Sequence, residues 1–223
     1  MSYVFTITSD ESLQEGLVQA VKIISEGGIV AFPTESFYGL GVDATNTHAV
    51  ENLFAIKKRD HNLPILILIS SMSNLQNYVA ITPLSAKRMG EKFWPGGLTM
   101  VFQSSPIVSS ALTSSTGKVG IRISSHPLAH ALSKILDVPI TATSANISGK
   151  PPCSRADQVV KYFSSKVDLI LDGGETQGKY PSTILDVTSD PPVIIREGMI
   201  KAEDIIQSGI YEKIVHLSNC YNG

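Results

Sequence analysis

The spacing of apolar residues predicts several amphipathic helices in this chain. Leu13, Leu17 and Val21 follow one another at intervals of four residues after a start rich in Ser and Asp, and this spacing places them on one face of an α-helix. Because Gly27 and Gly28 interrupt the pattern, the helix is expected to span residues 12–26. By the same criteria, further helices are predicted at residues 48–58, 83–93, 127–136 and 155–163.

Short runs of apolar and β-branched residues predict strands between these helices. They lie at residues 29–32, 64–70, 98–102, 119–123, 140–143, 167–171, 183–187 and 193–196. Helices and strands that alternate in this way favour an α/β fold, and we expect one large, twisted, mixed β-sheet flanked by helices. We assign residues 1–207 to a single domain and residues 208–223 to a C-terminal tail.

Length and composition are those of a globular protein. A chain of 223 residues, 43% of them hydrophobic, can bury a substantial core. Its apolar runs are much shorter than the ~20 residues that cross a bilayer, and its first residues lack the pattern of a signal peptide. We therefore expect a cytoplasmic protein with no membrane partner. Cys153 and Cys220 are too few and too far apart for a disulfide framework or a CxxC site, so both are expected to be free thiols.

Charge is unevenly distributed, although the formal net charge is only −2. Between Lys57 and Arg122, eight basic residues stand against two acidic ones. One interpretation is a solvated face whose charges are balanced elsewhere in the fold. The other is a surface that binds an anionic partner.

The segment DLILDGGETQGKYPST, residues 168–183, looks at first like a phosphate-binding loop. Gly173, Gly178 and Lys179 match the first seven positions of the G-x-x-x-x-G-K-[ST] pattern. However, Tyr180 replaces the Ser or Thr that would hold Mg²⁺, and an apparent strand replaces the helix whose N-terminus would face the phosphates. The segment is therefore predicted to be a wide turn between two strands.

Polar side chains collect where predicted strands and helices end. Thr34, Glu35 and Ser36 directly follow a strand, and ligands of α/β proteins commonly bind at strand ends. The alternative is an ordinary loop in which Thr34 is a capping hydroxyl. Lys57 and Arg59 lie at the end of a helix, where basic residues also interact favourably with the helix dipole without any ligand.

Two arginines require a partner. Arg122 lies in an otherwise apolar strand, where an unpaired guanidinium would be costly. Its partner must be anionic, and either a carboxylate of the protein or a ligand would serve. Arg196 ends a strand and is followed by Glu197. Pairing with Glu197 or with another carboxylate of the protein is the alternative to a ligand.

A group of short polar residues follows the strand at 140–143. Ser144, Asn146 and Ser148 are suited to hydrogen-bonding phosphate or ribose, and a simple Ser/Asn-rich turn is the alternative. Ser144 has no G-x-S-x-G elbow, and Cys153 has no obvious histidine partner. With cations and hydroxyls but no clear nucleophile, the set suits a reaction in which the protein positions charged reactants.

His126 and His130 are spaced like zinc ligands on a helix. His126 precedes Pro127 at a predicted helix start, and no HExxH motif accompanies the pair. Capping or structural roles are therefore favoured, and no metal site is predicted.

Several segments occur in an order that resembles a known family. They are PTESFYGLG, KKR, FWPGGLT, VGIRIS, HPLAHAL, TSANISGKPP, LDGGETQGKYPSTILDV and IIREG. Together they closely resemble the YrdC-like family, the L-threonylcarbamoyladenylate synthases, over about residues 13–206. The SANISG segment and the Lys-x-Arg pair are the most specific. The resemblance implies a short bacterial-type member, with a single domain around a concave, partly basic cavity.

The resemblance also implies an activity. The family's nucleotidyltransferases make threonylcarbamoyl-AMP and pyrophosphate from L-threonine, bicarbonate and ATP. The product would feed N6-threonylcarbamoylation of adenosine 37 in tRNAs that read ANN codons, through a downstream threonylcarbamoyl-transferase complex. Mg²⁺ would accompany ATP, bound mainly through the phosphates, and tRNA or double-stranded RNA is a further partner that the resemblance allows.

Carried over position by position, the resemblance assigns roles to individual residues. The catalytic residues, which also bind ATP, would be Lys57, Arg59, Ser144 and Asn146. Arg196 would bind the nucleotide phosphates. The residues that hold threonine would be Thr34, Arg122 and Ser182.

The chain departs from the family pattern at three positions. Leu63 stands where some members have an asparagine that touches ATP, Lys118 replaces a common threonine, and Pro152 replaces a serine. These departures put details of nucleotide contact in doubt. Two alternatives to the synthase are a non-catalytic RNA-binding module and a protein of the same fold with a changed or lost reaction.

Overall fold

The computed structural model of the protein describes residues 3–113, 116–136 and 138–217, so Cys220 and the end of the predicted tail lie outside the described residues. The helices are α1 (Asp10–Ser25), α2 (Thr47–Lys57), α3 (Leu75–Tyr78), α4 (Leu84–Phe93), α5 (Ser110–Thr113), α6 (Pro127–Ile135), α7 (Ala156–Phe163) and α8 (Ala202–Gln207). The strands are β1 (Tyr3–Thr6), β2 (Val30–Pro33), β3 (Tyr38–Gly41), β4 (Ile67–Leu68), β5 (Leu98–Gln103), β6 (Lys118–Arg122), β7 (Ile140–Thr141), β8 (Thr143–Ser144), β9 (Leu169–Asp172), β10 (Thr183–Asp186), β11 (Val193–Arg196) and β12 (Val215–His216).

The five predicted helices are confirmed as α1, α2, α4, α6 and α7, with ends within two residues of the prediction. The start of α1 is set by Ser9, whose side chain accepts the backbone N–H of Ser12 at 3.2 Å. The predicted strand at 64–70 is much shorter than expected, because only Ile67–Leu68 pairs with neighbouring strands.

The strands form two mixed sheets, where the sequence pattern predicted one. The five-stranded sheet has the order β1-β9-β2-β3-β8, and the seven-stranded sheet has the order β12-β11-β10-β5-β6-β4-β7. The predicted strand at 140–143 is divided between them, since β7 pairs with β4 and β8 pairs with β3. An apolar run indicates burial but not the partner strand, so this change of sheet has no signal in the sequence. The α/β class and the mixed pairing are confirmed.

A hairpin stands where no strand was predicted. β3 pairs antiparallel with β2, so Pro33 lies opposite Tyr38 and residues 34–37 form the turn. The sequence of β3 gives no clear strand signal, because its glycines supply no apolar or β-branched side chain. Gly41 is required by close packing: a Cβ there would lie 2.6 Å from the ring of Phe32.

Side chains of β2 alternate between two apolar clusters. Val30 and Phe32 belong to a cluster that includes Leu17 of α1, whereas Ala31 belongs to the larger cluster on the opposite face. This alternation is the normal period of a strand. Because both faces of β2 are buried, its sequence is a continuous apolar run. This packing also fixes the position of the end of β2, which Thr34 directly follows.

The described part of the tail packs back on the body of the protein. Tyr211 is buried, and its hydroxyl donates to Ser85 Oγ at 3.0 Å. β12 pairs with β11 and extends the seven-stranded sheet. The boundary at residue 207 stays a prediction. In the described ranges, no helix combines the length and the apolar character that a membrane span requires.

Candidate functional site

Four strands of the seven-stranded sheet bring polar residues to one edge. β10 runs parallel to β5, and β6 and β11 run antiparallel to these two neighbours. The starts of β5 and β10 therefore meet the ends of β6 and β11. The residues at this edge are Thr99, Arg122, Ser182 and Arg196.

The five-stranded sheet brings a second set of polar residues to a corresponding edge. The turn at 34–37 joins β2 to β3, and Gly39 of β3 lies opposite Ser144 of β8. The turn and the end of β8 are therefore neighbours. The two sheet edges face each other, because Glu35 in the turn forms an ion pair with Arg122, with Oε1 and Nη1 3.1 Å apart.

The Glu35–Arg122 pair answers the question of what neutralises Arg122. Its anionic partner is a carboxylate of the protein, and the two side chains are only 8% and 3% exposed. Ser124 donates its hydroxyl to Oε2 of Glu35. Burial lowers the pKa of the Arg122 guanidinium below its ordinary value, and the charge of Glu35 opposes this shift. Among the described residues, neither Glu35 Oε1 nor Arg122 Nε finds a hydrogen-bond partner.

Arg196 interacts with Ser182 and not with Glu197. Its Nε and Nη2 donate to the backbone oxygen of Ser182 at 3.2 and 2.9 Å. The Ser182 hydroxyl in turn accepts the hydroxyl of Thr99 at 3.0 Å. Glu197 instead pairs with Lys201 at 3.4 Å, so the expectation that it could neutralise Arg196 is wrong. We call Glu35, Arg122, Ser182 and Arg196 the arginine cluster.

Lys57 is fully buried, and its Nζ donates to three oxygens of the loop that follows β8. The acceptors are the backbone oxygen of Ser144, the backbone oxygen of Asn146 at 2.8 Å and the Asn146 Oδ1 at 3.3 Å. The Ser144 hydroxyl donates to the same Oδ1 at 2.7 Å. Burial, and then the charge of Arg59, lower the pKa of Lys57 to about 7. We call Lys57, Ser144 and Asn146 the lysine cluster.

Arg59 lies just beyond the end of α2, next to the lysine cluster. Its Nε donates to the backbone oxygen of Leu63 at 3.1 Å, and its Nη2 donates to that of Pro64 at 3.0 Å. Leu63, one of the departures from the family pattern, thus holds Arg59 through a backbone carbonyl that any residue would supply. Thr34 is buried and donates its hydroxyl to Phe37 O at 2.7 Å, which closes the hairpin turn.

Arg59 interacts electrostatically with a basic residue of each cluster. Burial, followed by the charges of Arg122 and Arg59, lowers the pKa of Arg196 to about 10. Arg59 also lowers the pKa of Lys57. Like charges shift each other's pKa in this way only when they are close. Arg59, Arg122 and Arg196 therefore converge from three distant parts of the sequence, and Lys57 lies beside Arg59. Such a concentration of positive charge favours the binding of an anion.

The glycine-rich segment at 173–182 is a loop, and the element that directly follows it is strand β10 and not a helix. This confirms that it is not a phosphate-binding loop. The loop packs on the hairpin, because the Gly178 N–H donates to Ser36 O at 2.9 Å and the Tyr38 hydroxyl donates to Gly174 O at 2.8 Å. This packing positions the start of β10 at the site.

The basic stretch between Lys57 and Arg122 does not form one surface. Its first and last residues are buried in the two clusters, and Lys118 pairs with Asp186 at 2.8 Å, at the opposite end of β6 from Arg122. The basic residues that remain exposed on α4 are Lys87, Arg88 and Lys92. Neither interpretation of this stretch therefore holds for all of it.

His126 caps α6, as expected. Its Nδ1 accepts the backbone N–H of Leu128 at 3.3 Å. Cys153 is a buried free thiol. In residues 3–113, 116–136 and 138–217, no three His, Cys, Asp or Glu side chains are grouped so that they could hold a metal ion.

A family model for Sua5, YciO and YrdC proteins, described as "Telomere recombination", matches residues 22–198. The chain belongs to the Sua5/YciO/YrdC family. The matched region contains every residue of the arginine and lysine clusters. The resemblance given by the sequence motifs is therefore confirmed at the level of the family.

Relatives in the Sua5/YciO/YrdC family are named threonylcarbamoyl-AMP synthase. One from Pyrococcus abyssi (strain GE5 / Orsay) is 39% identical over 196 residues, which are 87% of this chain and 58% of that protein. One from Vibrio vulnificus (strain YJ016) is 35% identical over 184 residues, which are 82% of this chain and 98% of that protein. The chain thus spans little more than half the length of the first relative and nearly all of the second.

A solved structure of the Sua5/YciO/YrdC family has the same fold. It is that of P. abyssi Sua5 complexed with L-threonine, with a TM-score of 0.89 and 34% identity. The match covers 97% of this chain and 62% of that chain. The arrangement of sheets described above is therefore the family fold.

Glu35, Thr99 and Ser124 contact the site through their side chains and have no role assigned from the sequence. Glu35 has a usable signal, because it is an acidic residue directly after a buried strand in a chain whose Arg122 needs an anion. The hydroxyls of Thr99 and Ser124 have none, since their partners depend on how the strands are arranged in the sheets.

Proposed function

We propose that the protein is an L-threonylcarbamoyladenylate synthase, which makes threonylcarbamoyl-AMP and pyrophosphate from L-threonine, bicarbonate and ATP. The observation that carries this proposal is the convergence of four cations where the two sheets meet: Lys57, Arg59, Arg122 and Arg196. Each substrate carries an anionic oxygen group, and a charge-assisted hydrogen bond to such a group contributes ~1.5–3 kcal/mol. The relatives that bear this name at 35% and 39% identity support the proposal.

ATP would lie along the lysine cluster, with Arg59 and Arg196 directed at its phosphates. Lys57 would hold the loop in place, and Ser144 and Asn146 would offer the exposed hydroxyl and the partly buried amide of that loop. The proton of the Ser144 hydroxyl is held by Asn146 Oδ1, so its oxygen would accept a ribose hydroxyl. The Asn146 amide, which donates one N–H to Lys150 O, has a second N–H for a phosphate or ribose oxygen.

L-Threonine would lie in the arginine cluster. Its carboxylate suits Arg122, and Ser182 and Thr34 would contact the rest of the molecule. L-Threonine is bound in the P. abyssi Sua5 structure, which matches 97% of this chain, and this match supports the assignment. Since Arg122 and Ser182 share an edge with Arg196, the amino acid would lie close to the phosphates.

The reaction would need positioning and charge stabilisation more than covalent help. The threonine ammonium group first loses a proton, and the resulting amine then takes up bicarbonate to give a carbamate and water. A carbamate oxygen then attacks the α-phosphorus of ATP, and the bond to pyrophosphate breaks. Arg59 and Arg196 would stabilise the negative charge on the α-phosphate and on the leaving group.

Mg²⁺ is proposed only as the ion that accompanies ATP, bound through phosphate oxygens. The residues of the site do not fit a metal of their own, because they are mainly cations and hydroxyls. The carboxylate of Glu35 is already taken up by Arg122 and Ser124.

The wider role follows from the product. Threonylcarbamoyl-AMP would pass, in the cytoplasm, to a threonylcarbamoyl-transferase complex that modifies adenosine 37 of tRNA. A non-catalytic RNA-binding role has less support, because Lys57 and Arg122 are buried and Lys118 is paired with Asp186. Direct contact with tRNA or double-stranded RNA stays a prediction.

Pyrophosphate release tests the proposal. The purified protein is incubated with ATP, Mg²⁺ and labelled bicarbonate, with and without L-threonine. Pyrophosphate and a labelled adenylate should form only when threonine is present. Equal release without threonine, or no release at all, would show that the proposed function is wrong.

A further inference from the structure

The Glu35–Arg122 pair is an incompletely satisfied ion pair at the junction of the two sheets. Oε1 of Glu35 lies 3.1 Å from Nη1 of Arg122, yet neither this oxygen nor Nε of Arg122 makes a hydrogen bond within the described ranges. Both atoms are shielded from solvent, and a buried polar atom without a partner is costly. Native proteins contain few such atoms, so these two require an explanation.

The surroundings of the pair hold Glu35 in place. Ser124 donates its hydroxyl to Oε2 of Glu35 and accepts the backbone N–H of His126 at 3.2 Å. The turn that carries Glu35 is closed by the hydrogen bond from Thr34 to Phe37. Glu35 cannot turn away to find water without losing the hydrogen bond from Ser124. The unpaired oxygen is therefore a feature of the folded site.

The missing partners of the pair match an α-amino acid. Oε1 of Glu35 needs a donor, and Nε of Arg122 needs an acceptor. The zwitterion of an α-amino acid supplies both, since its ammonium and carboxylate groups are attached to the same α-carbon. The nearby cations Arg59 and Arg196 would repel an ammonium group, and the negative charge of Glu35 would offset that repulsion.

We infer that Glu35 binds the α-ammonium group of the amino-acid substrate while Arg122 binds the adjacent carboxylate. This inference rests on the proposed function, in which that substrate is L-threonine. Glu35 thereby selects an amino acid over other carboxylates of similar size and places the nitrogen that reacts with bicarbonate. Because both atoms are shielded, binding requires a small movement of the turn at 34–37 or of the two side chains.

A purely positioning role is the rival explanation, in which Glu35 only holds the Arg122 guanidinium for the carboxylate. Both roles predict weaker threonine binding when the charge of Glu35 is removed. They differ for (R)-3-hydroxybutanoate, which is L-threonine without its amino group. If Glu35 acts only through Arg122, replacing Glu35 should weaken the binding of the two ligands equally.

Dissociation constants of the two ligands, measured by calorimetry with a non-hydrolysable ATP analogue present, distinguish these roles. The wild-type protein should bind L-threonine about tenfold more tightly than (R)-3-hydroxybutanoate, or better. Glu35→Gln should remove this preference. It should raise the dissociation constant of L-threonine about tenfold and change that of (R)-3-hydroxybutanoate less than about threefold. Glu197→Gln, the same chemical change in a carboxylate that pairs with Lys201, should keep the wild-type preference.

The remaining outcomes count against the inference. Equal losses for the two ligands in Glu35→Gln would overturn it in favour of the positioning role. Equal affinities of the wild-type protein for the two ligands would also overturn it, and this result does not depend on the folding of any variant. If the wild-type protein binds (R)-3-hydroxybutanoate but not L-threonine, or neither, the proposed function itself fails.

Discussion

The two clusters at the junction of the sheets differ in how their polar atoms are satisfied. In the lysine cluster, Nζ of Lys57 donates to three oxygens of Ser144 and Asn146, so its donor capacity is filled from within the chain. In the arginine cluster, as far as the structure describes the chain, Glu35 Oε1 and Arg122 Nε lack partners.

This difference indicates that Lys57 has a structural role, whereas the Glu35–Arg122 pair is suited to bind a ligand. Lys57 organises the loop after β8, and a ligand there would add contacts to the outer groups of Ser144 and Asn146. The pair in the arginine cluster has unused hydrogen-bonding capacity and gains more from a ligand. The direct catalytic role that the family resemblance gives to Lys57 stays a prediction.

The largest expected effect comes from Arg122→Met. The substitution leaves the Glu35 carboxylate buried without its cation, and breaking a buried ion pair from one side costs ~3–5 kcal/mol. The free energy of unfolding, measured by chemical denaturation, should fall by about this amount, and turnover should be lost.

A double variant separates the two losses. Glu35→Gln combined with Arg122→Met removes both charges and should regain most of the stability, while turnover stays absent because the carboxylate of the substrate has no cation. If Arg122→Met alone is as stable as the wild type, the pair is not a buried charge pair and the contrast between the clusters fails.

The next effect tests the lysine cluster. Lys57→Met removes the donor to the backbone oxygens of Ser144 and Asn146. The Ser144 oxygen keeps the N–H of Asn146 at 2.9 Å, whereas the Asn146 oxygen loses its Lys57 donor, and a buried acceptor left without a partner costs ~1–3 kcal/mol. Denaturation should report a loss in this range. A variant with wild-type stability would show that the loop keeps its shape without Lys57.

The pH dependence of that loss is a separate prediction. Lys57 has a pKa of about 7 in the folded protein and 10.5 as its ordinary value. Between these values the unfolded chain holds the proton and the folded protein does not, so this group makes stability rise with pH, by up to ~1.4 kcal/mol per unit. The difference in unfolding free energy between wild type and Lys57→Met should therefore grow from about pH 7 upwards. A difference that stays constant would mean that Lys57 keeps its proton.

The sequence predicted the positions of helices and strands better than it predicted which strands pair with one another. Periodicity located α1 and α4 because each buries one face, and that face has its own spacing. The strand at 140–143 changes sheets after Thr141, and this depends on which neighbours it meets. β3 was missed since two of its four residues are glycines.

The same limit applies to the site. Motif resemblance pointed to Arg122, and burial alone required an anion beside it. The choice between Glu35 and a ligand could not be made, because Glu35 is 87 positions away in sequence and reaches Arg122 only through the arrangement of both sheets. Contacts between sheets are the part of a site that local sequence does not encode.

A smaller effect is expected where the side chains are less buried. Ser144→Ala and Arg59→Ala should each lower turnover at least about tenfold, which is ~1.4 kcal/mol of transition-state stabilisation. The unfolding free energy should change by less than ~1 kcal/mol, because Ser144 is exposed and Arg59 is partly exposed. Wild-type rates of pyrophosphate release in either variant would contradict the assignment of that residue.

The smallest effect is expected at Lys118, outside both clusters. Its Nζ lies 2.8 Å from Asp186 Oδ2, and the two side chains are 30% and 13% exposed. Asp186 also accepts the backbone N–H of Thr188 at 2.9 Å, so it keeps a partner when Lys118 is replaced. Lys118→Thr should therefore cost less than ~1 kcal/mol of stability.

Lys118→Thr also tests how far the nucleotide-binding site extends along β6. Lys118 begins β6, whereas Arg122 ends it, and a rise of ~3.3 Å per residue over four steps places them ~13 Å apart. A side chain at the far end of the strand should not touch ATP, so the KM for ATP in Lys118→Thr should stay within about twofold of wild type. A tenfold rise would place residue 118 in contact with the nucleotide, and the site would then extend beyond the junction of the two sheets.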